Sequence, residues 1–272
     1  MGFGRNININ RANELLAVLA TGAYAFGRYM VKIPEYENAK YYNYTELGGL
    51  SCVDYSPKHI DDMNISLVNK STVDVVISEG MHSDSKIGVL NFASAMNPGG
   101  GFIKGAMAQE EALCQASTLY PQLKSSKMYT DNRSVQISGY YNHSMNVSDT
   151  YFIRDSEYRY IEKPIKATVI TSAAVNINRL DTIDKQVIKE VMHQRMEEII
   201  KMFVRYECKT LILGAFGCGV FGNNPYDIAE IWMELLEKYG AHFEKVIFAV
   251  KSRKKDMNIV AFIDTFASNG GK

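Results

Sequence analysis

Apolar positions recur along the chain with two periods, and the switches between them predict an alternation of helices and strands. Residues 11–26 place Leu15, Leu16, Leu19 and Ala23 at helical spacing, which predicts an amphipathic helix ahead of any sheet. The β-branched run at 73–77 and the run Ile87-Gly88-Val89-Leu90-Asn91-Phe92 predict two strands. Good helix formers at 109–119, with Glu110 and Glu111 in the first turn, predict a helix directly after a glycine loop. Residues 121–164 are rich in Ser, Tyr and Asn, with one short apolar piece at Tyr151-Phe152-Ile153, and are expected to form surface structure with a hairpin. Regular alternation resumes with a strand at 167–174, a long helix at 183–206 and an apolar strand at 210–213. A second glycine-rich loop spans 214–224, Pro225 opens a helix running to 238, and a strand at 246–250 and a helix at 257–266 follow. Such alternation argues for an α/β fold built on a parallel sheet.

Composition narrows the function more than the fold. Of 272 residues, 46% are hydrophobic and 22% charged, which is the balance of a globular chain with a sizeable core. Thirty basic residues offset thirty acidic ones, so the electrostatic footprint of a general nucleic-acid or membrane-surface binder is missing, and an anionic ligand has to be caught locally. Cys52, Cys114, Cys208 and Cys218 lack C-x-x-C spacing, and the five histidines, 59, 82, 143, 193 and 242, are never paired at metal-ligand spacing, so no metal site is expected. No signal peptide or membrane span is expected either, and a reducing, cytoplasmic setting is the simpler reading.

The two glycine loops carry the candidate chemistry. Both follow apolar strands and precede helices, which places them at the carboxyl ends of strands in an open α/β sheet, where ligands bind. Gly99-Gly100-Gly101 allows positive φ and close main-chain approach to a phosphate. Gly214-Ala215-Phe216-Gly217-Cys218-Gly219-Val220-Phe221-Gly222 spaces glycines with aromatics that could lie against a base or ribose. Neither loop matches a P-loop or a dinucleotide fingerprint. Seven residues beyond the triplet stands Gln109-Glu110-Glu111. Alone, these carboxylates could merely complement the helix dipole. Beside a phosphate loop they are the groups glycosidic cleavage needs, able to protonate a departing oxygen and then activate water.

The run from Gly99-Gly100-Gly101 to Gln109-Glu110-Glu111 resembles the signature of the poly(ADP-ribose) glycohydrolases. The bacterial-type branch is similar over roughly residues 10–266: in Asn91-Phe92-Ala93-Ser94-Ala95 leading to Asn97-Pro98, in Glu111-Ala112-Leu113, in Thr171-Ser172-Ala173-Ala174-Val175-Asn176, and in the loop from Gly214 to Phe221. The resemblance implies a macrodomain-like three-layer α/β/α fold with a mixed central sheet, in one domain over residues 1–272 with an N-terminal helical extension over about 1–60. It implies hydrolysis of the ribose–ribose O-glycosidic bond of poly(ADP-ribose), or of ADP-ribosylated protein, with ADP-ribose as product and no cofactor. Glu111 would be the acid and then the base, and Glu110 would hold ribose hydroxyls. Asn97, Gly99, Gly100, Gly101 and Gln109 would contact the ribose and phosphate. Gly217, Cys218, Gly219, Val220 and Phe221 would wrap the diphosphate, with Cys218 as a small packing residue rather than a nucleophile. For Glu111 to donate a proton near neutrality, burial or the neighbouring Glu110 must weaken its acidity.

Val175 stands where the branch has proline, and residues 124–150 follow no pattern of the family. That segment is where contacts separating polymer from mono-ADP-ribose would lie. Two other readings stay open: hydrolysis of mono-ADP-ribose from protein or nucleic acid, and a non-catalytic ADP-ribose-binding macrodomain. Asp61-Asp62 and the basic run at 251–255 read as solvated turns. The tyrosine pairs at 41–42 and 140–141 read as packing or edge-strand residues.

Overall fold

The computed structural model describes residues 2–135, 139–252 and 256–269. The first half of the chain forms α1 (Gly2–Thr21), β1 (Ala23–Phe26), β2 (Tyr29–Lys32), β3 (Lys40–Tyr42), α2 (Tyr44–Gly48), β4 (Ile65–Val68), α3 (Thr72–His82), β5 (Ile87–Phe92) and α4 (Gln109–Ala116). Then come α5 (Leu119–Leu123), α6 (Lys127–Ser134), β6 (Met145–Arg154), β7 (Tyr160–Ser172), α7 (Lys185–Arg205), β8 (Thr210–Leu213), α8 (Pro225–Tyr239), β9 (Lys245–Ala249) and α9 (Met257–Asn269). Strands β1 and β2 pair by themselves, and the other seven form one sheet in the order β3-β6-β7-β5-β8-β9-β4.

That sheet is mixed rather than parallel throughout. Strands β7, β5, β8, β9 and β4 run parallel, while β6 and β3 add an antiparallel edge. Alternation along the strands builds a core on each face: Leu211, Leu213, Val246 and Phe248 point one way, and Ile212, Ile247, Ile87 and Val89 the other. Helices α7 and α8 pack on the first core through Ile199, Phe203, Trp232 and Leu236. Helices α1, α3 and α4 cover the second through Leu15, Val76 and Leu113. The result is the three-layer α/β/α arrangement that the resemblance implies.

Three expectations give way. Residues 73–77 are helical, not extended, because the Ser71 hydroxyl accepts from Asp74 N at 3.1 Å while Asp74 Oδ2 accepts from Ser71 N at 3.2 Å. This reciprocal cap outweighs the few tenths of a kcal/mol that each β-branched residue costs in a helix. Residues 121–164 hold α6 and most of a long hairpin inside the sheet rather than surface structure, because their polar side chains satisfy one another. Gln122, for example, donates to Glu37 O and Asp149 O and accepts from the Thr118 and Thr150 hydroxyls. The N-terminal helix starts at Gly2 and stops at Thr21, where Gly22 takes φ +73 and turns the chain into β1, so Ala23 belongs to a strand. Asp61 and Asp62 form an exposed turn, and β3 puts Tyr41 and Tyr42 on an edge strand, as expected. Residues 253–255 of the basic run lie outside the described residues.

Candidate active site

The site begins where β5 ends. Strand β8 pairs with β5 only along Ile87–Val89, so the next stretch of β5 would leave one backbone edge open. Gln109, first residue of α4, closes it: its Oε1 accepts from Phe92 N at 2.9 Å and its Nε2 donates to Leu90 O at 2.8 Å. A side-chain amide standing in for a strand fixes the start of α4 against the sheet. Both ends of the Gln109 amide are taken by β5, which gives the residue a positioning role, and Gln109 also lines the cleft described below.

The next two residues differ sharply in surroundings despite being neighbours. Glu110 is 3% exposed and points inward, where its Oε1 accepts from Asn91 Nδ2 at 3.2 Å and its Oε2 from Ser94 N at 2.7 Å. Burial, opposed by these donors and reinforced by the charge of Glu111, pushes its carboxyl up to about 8. Weakened acidity is expected above of Glu111; the carboxyl that burial raises here is that of its neighbour Glu110. Glu111 is 8% exposed and faces the glycine loop: Oε1 accepts from Gly101 N at 2.8 Å and Oε2 from Ala108 N at 2.9 Å. These two amides aim the carboxylate at the cleft and leave lone pairs on each oxygen.

The glycine triplet is shaped around those carboxylates. Gly100 has φ +59, and a Cβ there would come within 2.3 Å of Glu111 Oε1; only glycine lets the loop lie on the acid. Gly99 has φ +64 and is buried against Tyr120 and Cys114, so it packs the loop. Asn97 is exposed, and its carbonyl accepts from Gly100 N at 2.9 Å, which turns the chain into the triplet. Opposite lies the second loop. Gly217, at φ +76, is pressed on Ala174 and Asn223, Phe216 is buried against Phe92, and Val220 stands 81% exposed.

Between the loops runs a cleft of about 780 Å³ that Asn97, Gly100, Gly101, Glu110 and Glu111 line on one side and Gly217, Gly219, Val220 and Phe221 on the other. Of the expected contact residues, Gly99 and Cys218 do not line it. Cys218 packs on the core, and burial pushes its thiol up to about 12, which fits a packing residue and not a nucleophile. The cleft continues past the carboxylates to Lys70, Val73, Lys251 and Asn258, at the ends of β4 and β9.

Several of these residues escape sequence reasoning. Asn91 looks like one more strand residue, yet it joins Glu110 to Thr171. Tyr129, from the Ser- and Asn-rich segment, is buried beside the acid pair, and its hydroxyl is raised chiefly by burial. Tyr158 holds φ +67 in the β6–β7 turn and lines the cleft beside Met107. Only the tertiary fold brings these positions to the loops. His143 is largely buried, with Nδ1 3.2 Å from Glu198 Oε2. Among the described residues no group of three or more His, Cys, Asp or Glu could hold a metal ion, and no helix is long and apolar enough to cross a membrane.

Comparison with known proteins agrees with this geometry. The family model described as microbial-type PARG, catalytic domain, matches residues 12–155. The crystal structure of poly(ADP-ribose) glycohydrolase from Thermomonospora curvata superimposes with a TM-score of 0.86 at 27% identity, covering 96% of this chain and 99% of that one. The same enzyme bound to the inhibitor ADP-HPD gives 0.84 at 27% identity, covering 94% and 98%. The Deinococcus radiodurans enzyme in complex with ADP-ribose gives 0.74 at 27% identity, covering 85% and 94%. No curated protein matches the chain. With the family model spanning more than half of its length and the acid pair seated between two glycine loops, the chain belongs to the microbial-type poly(ADP-ribose) glycohydrolase family.

Proposed function

We propose that the cleft hydrolyses the ribose–ribose O-glycosidic bond of poly(ADP-ribose) and that Glu111 is the acid and base of the reaction. One observation carries the assignment: Glu111 is fixed through both oxygens by Gly101 N and Ala108 N, on the cleft wall where the glycine loops face each other. The protonated carboxyl gives its proton to the bridging oxygen as the bond to the anomeric carbon breaks, so the departing ribose leaves as an alcohol. The resulting carboxylate stabilises the oxocarbenium-like centre, then takes a proton from the water that attacks it. ADP-ribose and a shortened polymer are the products.

Glu110 supports this cycle from the adjoining part of the cleft wall. Held near 8 by burial, it keeps its proton at neutral pH, so the adjacent pair carries at most one charge. Asn97 and Glu110 hold the hydroxyls of the scissile ribose. The backbone of Gly217, Gly219 and Val220 faces the diphosphate, which suits a neutral chain that has to catch its anion with main-chain N–H groups. The adenosine end then extends towards Val73 and Lys251. The free thiols of Cys114, Cys208 and Cys218 suit a reducing, cytoplasmic location.

Incubating the protein with poly(ADP-ribose), with mono-ADP-ribosylated protein and with ADP-ribosylated nucleic acid, and following free ADP-ribose by chromatography, tests the reading. Release from polymer is the expected result. Tight ADP-ribose binding without release from any of the three would make the protein a reader instead.

A further inference from the structure

The sheet order sets a direction along the cleft. From the β4 edge inward, the strand ends carry Lys70, then Lys251, then the second glycine loop, then the triplet with Glu111, and finally the stretch after β7. Along the sheet the lining ends there, at Ala174 and Asn97, and on the α3 side it takes in Lys104, Met107, Ser156 and Tyr158. With one ADP-ribose unit reaching from Glu111 towards Lys251, as proposed above, the group bonded to its scissile ribose leaves past β7, over the start of β6.

Two exposed arginines stand at that end and converge on one residue. Arg133, near the end of α6, donates through NH1 to Met96 O, and Arg179, after β7, brings its NH1 to 3.9 Å from Met96 Sδ. Met96 immediately precedes Asn97. Both arginines are held by the catalytic loops themselves. Asn132 Nδ2 donates to Ala95 O at 2.9 Å, which ties α6 to the first loop. Ile177 N donates to Phe221 O at 2.9 Å and Asn178 Nδ2 to Val220 O at 2.8 Å, which ties the Arg179 turn to the second. Among the described residues neither guanidinium has a carboxylate within ion-pair distance. A guanidinium has five N–H donors, so most remain available to a planar or tetrahedral oxyanion.

We propose that Arg133 and Arg179 form a subsite for the pyrophosphate of the departing polymer unit, outside the cleft and one ribose beyond the bond being cut. This rests on the polymer reading above and gives it a residue-level basis for preferring polymer to a mono-ADP-ribose conjugate, whose departing side carries no pyrophosphate. Arg133 lies in residues 124–150, where contacts separating polymer from mono-ADP-ribose are expected. Neither arginine touches the unit held in the cleft, so free ADP-ribose gains nothing from them.

Polymer affinity, measured in a Glu111→Gln background so that turnover does not intervene, separates the subsite from the chemistry. Adding Arg133→Gln and Arg179→Gln lowers affinity for poly(ADP-ribose) roughly tenfold near 0.1 M salt and reduces the slope of log affinity against log salt by roughly 1 to 1.5, as expected for two lost phosphate contacts. Affinity for free ADP-ribose stays within twofold, which also reports that the loops are intact. The pair Arg133→Lys and Arg179→Lys keeps most of the polymer affinity and the salt slope. Unchanged polymer affinity in the glutamine pair, or an equal loss in the lysine pair, overturns the subsite. Absence of ADP-ribose release by the unmodified protein would instead overturn the polymer reading.

Discussion

Replacing Glu110 by glutamine probes the electrostatics of the acid pair through stability rather than turnover. The folded protein holds the Glu110 proton up to about pH 8, against 4.5 for an ordinary glutamate. Between those limits the folded state binds one proton more than the unfolded state, so stability falls as pH rises, by about 1.4 kcal/mol per pH unit. The contribution is fully present below the unfolded value and lost as pH passes through the folded one, on the order of 5 kcal/mol in all. Glutamine has no such proton, and its amide is accommodated. Its oxygen keeps the bond from Ser94 N, while its NH2 faces Asn91, whose buried Oδ1 has no partner and becomes the acceptor after an amide flip. Urea unfolding of both proteins at pH 6 and pH 8 reads the effect. Glu110→Gln gains on the wild type by roughly 2 to 3 kcal/mol between those pH values. Parallel pH dependence of the two proteins would refute the assignment of the raised carboxyl to Glu110.

Gly100→Ala places a methyl 2.3 Å from Glu111 Oε1 at φ +59, and is expected to cost about 1–2 kcal/mol in backbone strain and to lower kcat for polymer by displacing the acid. Gly219→Ala, with open space around its Cβ, leaves the melting temperature unchanged; equal melting curves for both variants would count against the geometry. Gln109→Ala strips the partners from Phe92 N and Leu90 O, and calorimetry is expected to show a loss of roughly 2–4 kcal/mol. Cys218, its thiol raised to about 12, resists iodoacetamide at pH 8 in the folded protein, and alkylation at the rate of an ordinary exposed thiol would contradict its packing role.

What the sequence discloses here follows from how each element is stabilised. Strands β5 and β8 are legible because each is a mainly apolar run leading into a glycine-rich loop, and the Pro225 helix because proline fits a first turn. The 73–77 run misleads because its β-branched residues suit either state, and the Ser71–Asp74 cap decides. The hairpin core is hidden because its polar residues are buried through specific bonds, Thr150 donating to Gln122 and Ser126 to Asn146, a pairing composition cannot show. Within the site, spacing finds the carboxylates and both loops. It does not distinguish Gln109, used by β5, from Glu111, aimed at the cleft, because a half turn of helix separates their roles. Likewise Glu110 and Glu111 are equal on paper until one is turned inward.

Turnover of poly(ADP-ribose) by Glu111→Gln, measured beside its affinity for ADP-ribose, puts the catalytic assignment to the most direct test. Glutamine keeps the shape and an acceptor for the Gly101 amide but can neither give nor take the proton, so kcat falls by about 100- to 10,000-fold while ADP-ribose binding stays within a few-fold of wild type. Release of ADP-ribose at the wild-type rate would show that the acid and base of this cleft is another group.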